Sequence, residues 1–240
     1  MCVGDFARLS LAQAQLPKRV WVWDAGVNRS NVRGLEIFQV ACALAACCGR
    51  LREVMRAPLG VLRPRHENIK ALAAKAGLRS CAALGGAPKL LCEQRGLTAA
   101  HMRTLGELLG MGALPRLEYL LVSHNGFGDE GVVALIQGLG CGTVPRLATL
   151  RMSRNGIGPG GASALAAALG RGALPNLKVL GLVENELGDA GLAVLAPPLR
   201  QHAALKCLNV ADNKFGDVGV AAFLGGVGEG ELTALTHLFL

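Results

Sequence analysis

Histidine and cysteine are the residues of this chain best suited to metal or nucleophilic chemistry, and their spacing supports neither. The histidines stand at 66, 101, 124, 202 and 237, none with a cysteine or carboxylate at ligand spacing. The cysteines, at 2, 42, 47, 48, 81, 92, 141 and 207, form no CxxC pair and do not interleave with histidine as a zinc site requires. Cys92 and Cys207 fall where a strand would place a side chain, so they read as small buried hydrophobes. Such cysteine usage favours a reducing, intracellular compartment, here taken as the cytoplasm. No HExxH or GxSxG occurs, and no GxGxxG opens a helix after a strand. The expectation is therefore no catalytic residue, no cofactor, no metal and no small-molecule substrate.

Charge divides the chain in two. Residues 1–86 hold 13 Lys+Arg against 5 Asp+Glu, whereas residues 87–240 hold 12 of each. Five arginines between 50 and 65 could meet phosphates, but no aromatic interleaves with them to stack on bases. That stretch reads as a solvated face, and nucleic acid is not the expected partner. The apolar run at 37–48, IFQVACALAACC, contains Gln39 and is twelve residues long. A membrane span needs about 20 residues, so the run reads as a buried helix, and no membrane span is expected. Trp21-Val22-Trp23-Asp24 ends in a WD dipeptide that occurs once. A propeller would repeat it every 40 or so residues, so it reads as a short strand or a packing cluster on the first repeat. Residues 1–86 together form an ill-defined basic region, partly helical or disordered.

The rest of the chain repeats. Units begin at Leu117, Leu147, Leu177 and Leu205 with lengths of 30, 30, 28 and 30 residues, and a fifth opens at Leu235. Three residues after each start comes Leu120, Leu150, Leu180, Leu208 or Leu238; two further on come Val122, Met152, Leu182, Val210 and Leu240. Asn125, Asn155, Asn185 and Asn213 form one column; Gly131, Gly161, Gly191 and Gly219 form another. A degenerate copy occupies 87–116, with Leu90, Cys92, Leu97, Leu105 and Leu109 in the right columns, and no copy is found before Ala87. The array is thus 87–116, 117–146, 147–176, 177–204 and 205–234, truncated at 235–240.

Each unit has its own physics. LxxLxL alternates on one face at the period of a strand. The Asn ends the strand, its amide able to satisfy backbone groups freed at the turn. Asp129, Asp189 and Asp217 stand where a helix begins, and Pro159 suits a first helical turn. Apolar residues four apart, such as Leu165 and Leu169, then mark a helix. One unit cannot bury its apolar side alone; stacking does it. The expected fold is α/β: a solenoid in a right-handed arc, parallel strands on the concave face and helices on the convex face.

The unit LxxLxLxxNxxGDxGxxAL resembles the ribonuclease-inhibitor type of leucine-rich repeat, a group that includes the repeat domains of NOD-like receptors and Ran GTPase-activating protein. No GxxxxGK[ST] phosphate loop occurs, which separates the chain from the ATP-binding receptors of that group. The resemblance implies the arc-shaped fold and carries no functional residue over.

The surface expected to work is the strand face, where residues between the core leucines vary while the framework does not. Three columns mark it: Leu121, Arg151, Gly181, Asn209 and Phe239; Tyr119, Thr149, Val179, Cys207 and His237; and His124, Arg154, Glu184 and Asp212. The partner-binding set read from them is Tyr119, Leu121, His124, Arg151, Arg154, Glu184, Asn209 and Asp212. The predicted function is a non-enzymatic module that binds a protein partner, with a GTPase regulator of the Ran-activating type as the alternative. Leu235, Leu238 and Leu240 predict an apolar edge open to self-association or to further repeats.

Overall fold

The computed structural model describes residues 56–140, 142–225, 227–228 and 231–240. The apolar run at 37–48, the Trp-Val-Trp-Asp cluster at 21–24 and the start of the arginine stretch lie outside the described residues. Two helices come first, α1 (Arg56–Lys75) and α2 (Cys81–Gly86). Strands and helices then alternate: β1 (Lys89–Leu91), α3 (Ala99–Gly110), β2 (Tyr119–Leu121), α4 (Gly128–Gln137), β3 (Thr149–Arg151), α5 (Pro159–Gly170), β4 (Val179–Gly181), α6 (Gly188–Arg200), β5 (Cys207–Asn209), α7 (Asp217–Leu224) and β6 (His237–Phe239).

The strands form one open parallel sheet in chain order, and its register superposes the repeat columns. Leu90, Leu120, Leu150, Leu180, Leu208 and Leu238 pair from strand to strand. The first five are buried and form one core with the helix leucines, among them Leu105, Leu135, Leu165 and Leu195. Burying each such side chain contributes about 1.5–3 kcal/mol, which a lone three-residue strand could not gain. The backbone ladder also runs beyond the strands: Val122 N–H donates to Arg151 O at 2.9 Å, and Lys178 N–H to Ala148 O at 2.8 Å.

Where the chain leaves the sheet, Gln94, His124, Arg154, Glu184 and Asp212 all adopt the left-handed conformation, with φ between 52° and 60°. That turn carries the following N–H groups away from the ladder, and the asparagine of the next repeat receives them. Asn155 Oδ1 accepts from Asn125 N–H and Gly126 N–H at 2.9 and 3.0 Å, while its Nδ2 donates to Val122 O at 3.1 Å. Asn185 does the same for Asn155 N–H and Ile157 N–H, at 2.9 and 3.1 Å. A parallel serine ladder lies beside it: Ser123 Oγ accepts from Ser153 N–H and Ser153 Oγ from Val183 N–H, both at 3.2 Å.

The aspartate column works across repeats too. Asp129 and Asp189 lie in the first turns of α4 and α6, yet Asp129 Oδ1 accepts from Gly158 N–H at 2.6 Å, at the N-cap of α5. Asp189 Oδ1 accepts from Gly216 N–H and Gly219 N–H at 2.8 and 2.9 Å, at the start of α7. Each carboxylate therefore caps the helix that follows its own. The glycine column makes room: a Cβ on Gly219 would stand 2.6 Å from Asp189 Oδ1.

The region before Ala87 contributes a helix to the array. Leu72 of α1 and Leu84 of α2 belong to the continuous core, and α1 packs against α3. Helix α1 ends in the turn used by the repeat helices: Gly77 is left-handed and Leu78 N–H donates to Ala73 O at 2.9 Å, just as Gly112 is left-handed and Ala113 N–H donates to Leu108 O at 2.8 Å. At the other end, Phe239 and Leu240 are exposed and Leu238 is half-buried.

Two outcomes test this account. Asn155→Ala orphans the Asn125 and Gly126 N–H groups, while Val122 O keeps its bond from Asn125 Nδ2, and should lower the urea-melt stability by about 2 kcal/mol; Gln137→Ala, on the exposed end of α4, should stay within about 0.5 kcal/mol. Asp189→Ala should cost about 1 kcal/mol and reduce amide protection at the start of α7 roughly fivefold in hydrogen exchange. Asp217→Ala, in the first turn of α7 itself, should have the smaller effect.

Candidate functional site

The register gathers the expected docking residues into rows. Leu121, Arg151, Gly181 and Asn209 are successive partners across β2 to β5, with Leu91 and Phe239 at the ends of the row. Leu91, Arg151 and Phe239 are exposed, and Leu121 and Asn209 are half-buried. Gly181 leaves space for its neighbour: a Cβ there would stand 3.3 Å from Arg151 Cγ. Tyr119 lies in the adjacent row between Lys89 and Thr149, and Lys89 Nζ sits 4.7 Å from the Tyr119 ring centroid, a cation–π contact.

His124, Arg154, Glu184 and Asp212 occupy the left-handed turn at the strand ends. The structure brings two of them together, for Arg154 Nη2 is ion-paired to Glu184 Oε1. That hydrogen bond, helped by the charges of Glu184 and Asp212, pushes the Arg154 guanidinium further up in pKa. Nearby, Lys214 Nζ pairs with Glu186 Oε1 at 2.8 Å. The charges of the strand-end rim are thus largely engaged with one another, and Arg151 is the exposed cation in the strand row itself.

At the opposite rim, where the strands begin, lies a feature that the columns chosen from the sequence left out. An open hollow of about 650 Å³ is lined by Tyr119, Ala148, Thr149 and Val179 together with Glu118, Arg146 and Lys178. Its charged residues occupy positions just before each strand. Aligning those positions as columns, as was done for the strand residues, would have brought them out.

Nucleophile chemistry finds little support among the described residues. The three described cysteines are free. Burial pushes the Cys92 thiol up to about 11, against a smaller opposing pull from Arg95, and burial also raises Cys81. A thiol so protonated is a poor nucleophile at neutral pH. Among the described residues, no group of three or more His, Cys, Asp or Glu could hold a metal ion. None of their helices is long and apolar enough to cross a membrane.

Six parallel strands in chain order, the first five each followed by a helix and tied to the next repeat by asparagine across four boundaries, define an open α/β solenoid of stacked repeats. The sequence profile described as Leucine Rich repeat matches four of these repeats, at residues 114–135, 147–166, 173–196 and 202–224. The chain is a leucine-rich repeat protein. No curated protein matches it as a relative.

One titration follows from the helix caps. His101 Nδ1 accepts from Thr98 N–H at 3.2 Å and lies 2.8 Å from Thr98 Oγ1, contacts that require this nitrogen unprotonated. Burial lowers the His101 pKa below its ordinary 6.5, with a further push from Lys75. His66 is lowered in the same way, by burial and then Lys70. As pH falls below 6.5 the unfolded chain gains protons that the folded chain resists, so stability drops until the folded histidines protonate too. The melting temperature should therefore be lower at pH 5.5 than at pH 7.5. His101→Glu keeps an acceptor at that helix position and should flatten the dependence, leaving the His66 contribution.

Proposed function

We propose that the strand face is a protein-docking surface and that the chain acts by binding rather than by catalysis. The array is of the ribonuclease-inhibitor type in this reading, a proposal supported by repeats of 28 to 30 residues that each carry an α-helix. One observation carries the functional reading. A single register row presents Leu91, Leu121, Arg151, Asn209 and Phe239 on a backbone whose opposite face is filled by buried leucine. Exposed apolar and Arg side chains held on a rigid ladder are what interface anchors require.

Tyr119, Leu121 and Arg151 form the centre of the surface. His124 and the Arg154–Glu184 pair border it on the strand-end side, with Asn209 and Asp212 toward the last repeat. The six strands span about 24 Å at their usual spacing, the width of one face of a small protein. Opposed charges along the border, basic at Arg154 and acidic at Glu184 and Asp212, fix the orientation of a partner more than they add affinity.

The test begins with a partner identified by cross-linking to the full chain and then purified. Arg151→Glu, in a protein of unchanged circular dichroism, should weaken the purified pair by at least about tenfold. Val194→Glu, on the exposed side of α6, should leave it within about twofold. The reverse pattern would place the docking surface on the helices.

A further inference from the structure

The rim where the strands begin carries a basic residue at the first position of β1 and one shortly before each of β2 to β5: Lys89, Arg116, Arg146, Lys178 and Lys206. All five are exposed. The register sets Lys206 beside Lys178, whose backbone oxygen accepts the Lys206 N–H at 2.8 Å, and Arg116 and Arg146 share a repeat column. Glu118 is the carboxylate among them. The ion pairs of the described residues, Lys70–Glu67, Arg154–Glu184, Arg200–Glu231 and Lys214–Glu186, involve none of the five. At the opposite rim two ion pairs, Arg154–Glu184 and Lys214–Glu186, close between neighbouring repeats. The strand-start rim is therefore a row of basic residues that no ion pair among the described residues neutralises.

Resting on the strand-face reading above, we infer that this rim binds an acidic, extended segment of a protein partner, laid across the strands over the hollow between Arg146 and Lys178. Length fits: from Lys89 to Lys206 there are four strand gaps of about 4.8 Å, about 19 Å in all, and six extended residues reach about 20 Å. Chemistry fits as well. Tyr119, Ala148, Thr149 and Val179 line the hollow and offer apolar contact to alternate side chains of such a segment, while its carboxylates meet Arg and Lys on flexible stems. The same features disfavour a nucleic acid. Tyr119 is the chain's one tyrosine and its ring is already covered by Lys89, so the hollow offers no free tyrosine face for base stacking.

The experiment is fluorescence anisotropy with the full chain and a labelled heptapeptide alternating Glu and Val, beside a Lys/Val counterpart and a single-stranded oligothymidine. The Glu/Val peptide should bind, its affinity falling as salt rises, and the Lys/Val peptide should not. Arg146→Glu with Lys178→Glu should weaken the Glu/Val peptide about tenfold, from two attractions lost and two repulsions gained. Lys214→Glu, on the opposite rim, should change it less than twofold. Should the double reversal fail to fold by circular dichroism, Arg146→Gln with Lys178→Gln serves instead, with about a threefold loss expected. Peptide affinity indifferent to these changes would place the acid on another basic surface of the chain and overturn the inference. Tighter binding of oligothymidine, lost in the same variant, would overturn it in favour of a nucleic-acid site. If Arg151→Glu abolishes partner binding while the peptide ignores Arg146 and Lys178, the docking face stands and the acidic segment falls.

Discussion

Four of the five repeats, from 87–116 to 177–204, each depend on an asparagine that belongs to the next one. The strands are three residues long, so the sheet supplies few backbone hydrogen bonds, and the chain leaves it through a left-handed residue that turns further N–H groups inward. A buried N–H without a partner costs about 1–3 kcal/mol. Asn125, Asn155, Asn185 and Asn213 provide Oδ1 to those groups on the preceding repeat and return Nδ2 to carbonyls of both repeats. An aspartate could accept these bonds but could not donate the second set. A glutamine would place the same amide one methylene too far from the turn.

The aspartate column couples repeats in the opposite sense. The asparagine of one repeat completes the turn before it, and Asp129 and Asp189 cap the helix after it. The boundaries that Asp129 and Asp189 bridge are thus tied at two places by bonds that neither repeat could make alone, in addition to the leucine core they share. This is a nearest-neighbour stability of the kind expected for solenoids. Helix α1 fits the same logic, adding apolar side chains to the end of the array where no earlier strand lies among the described residues.

Much of this was legible in the leucine and asparagine columns. Leu120 and Val122 alternate at the period of a strand, and the alignment of the repeats is the register of the sheet. The direction of the polar bonds was not legible. Asp129 reads as a cap for its own helix because sequence proximity is all the eye is offered, whereas the solenoid brings Gly158, 29 residues on, within 2.6 Å. Likewise Arg154 and Glu184 read as separate members of one column, although one repeat of translation makes them an ion pair. The helix at 56–75 was hidden because α2 is inserted before β1, so the turn at Gly77 lies 35 residues before the one at Gly112, out of phase with the 30-residue period.

That translation decides what a charged column can do. On a helix, residues four apart meet; on this sheet, residues one repeat apart meet, and the sign of the product of their charges is set at each position of the unit. At the strand ends the product is negative for Arg154 with Glu184 and for Lys214 with Glu186, and the pairs close within the chain. At the strand starts it is positive for Arg116 with Arg146 and for Lys178 with Lys206, and strand spacing holds the like charges near one another. Like charges on neighbouring strands destabilise a sheet by tenths of a kcal/mol or more, on the order of the gain from an opposite pair. The leucine core and the asparagine ladder can tolerate that repulsion. Glu118 stands in that row but closes no ion pair there, so an acid from outside the described repeats would gain both the direct attraction and the relief of the repulsion.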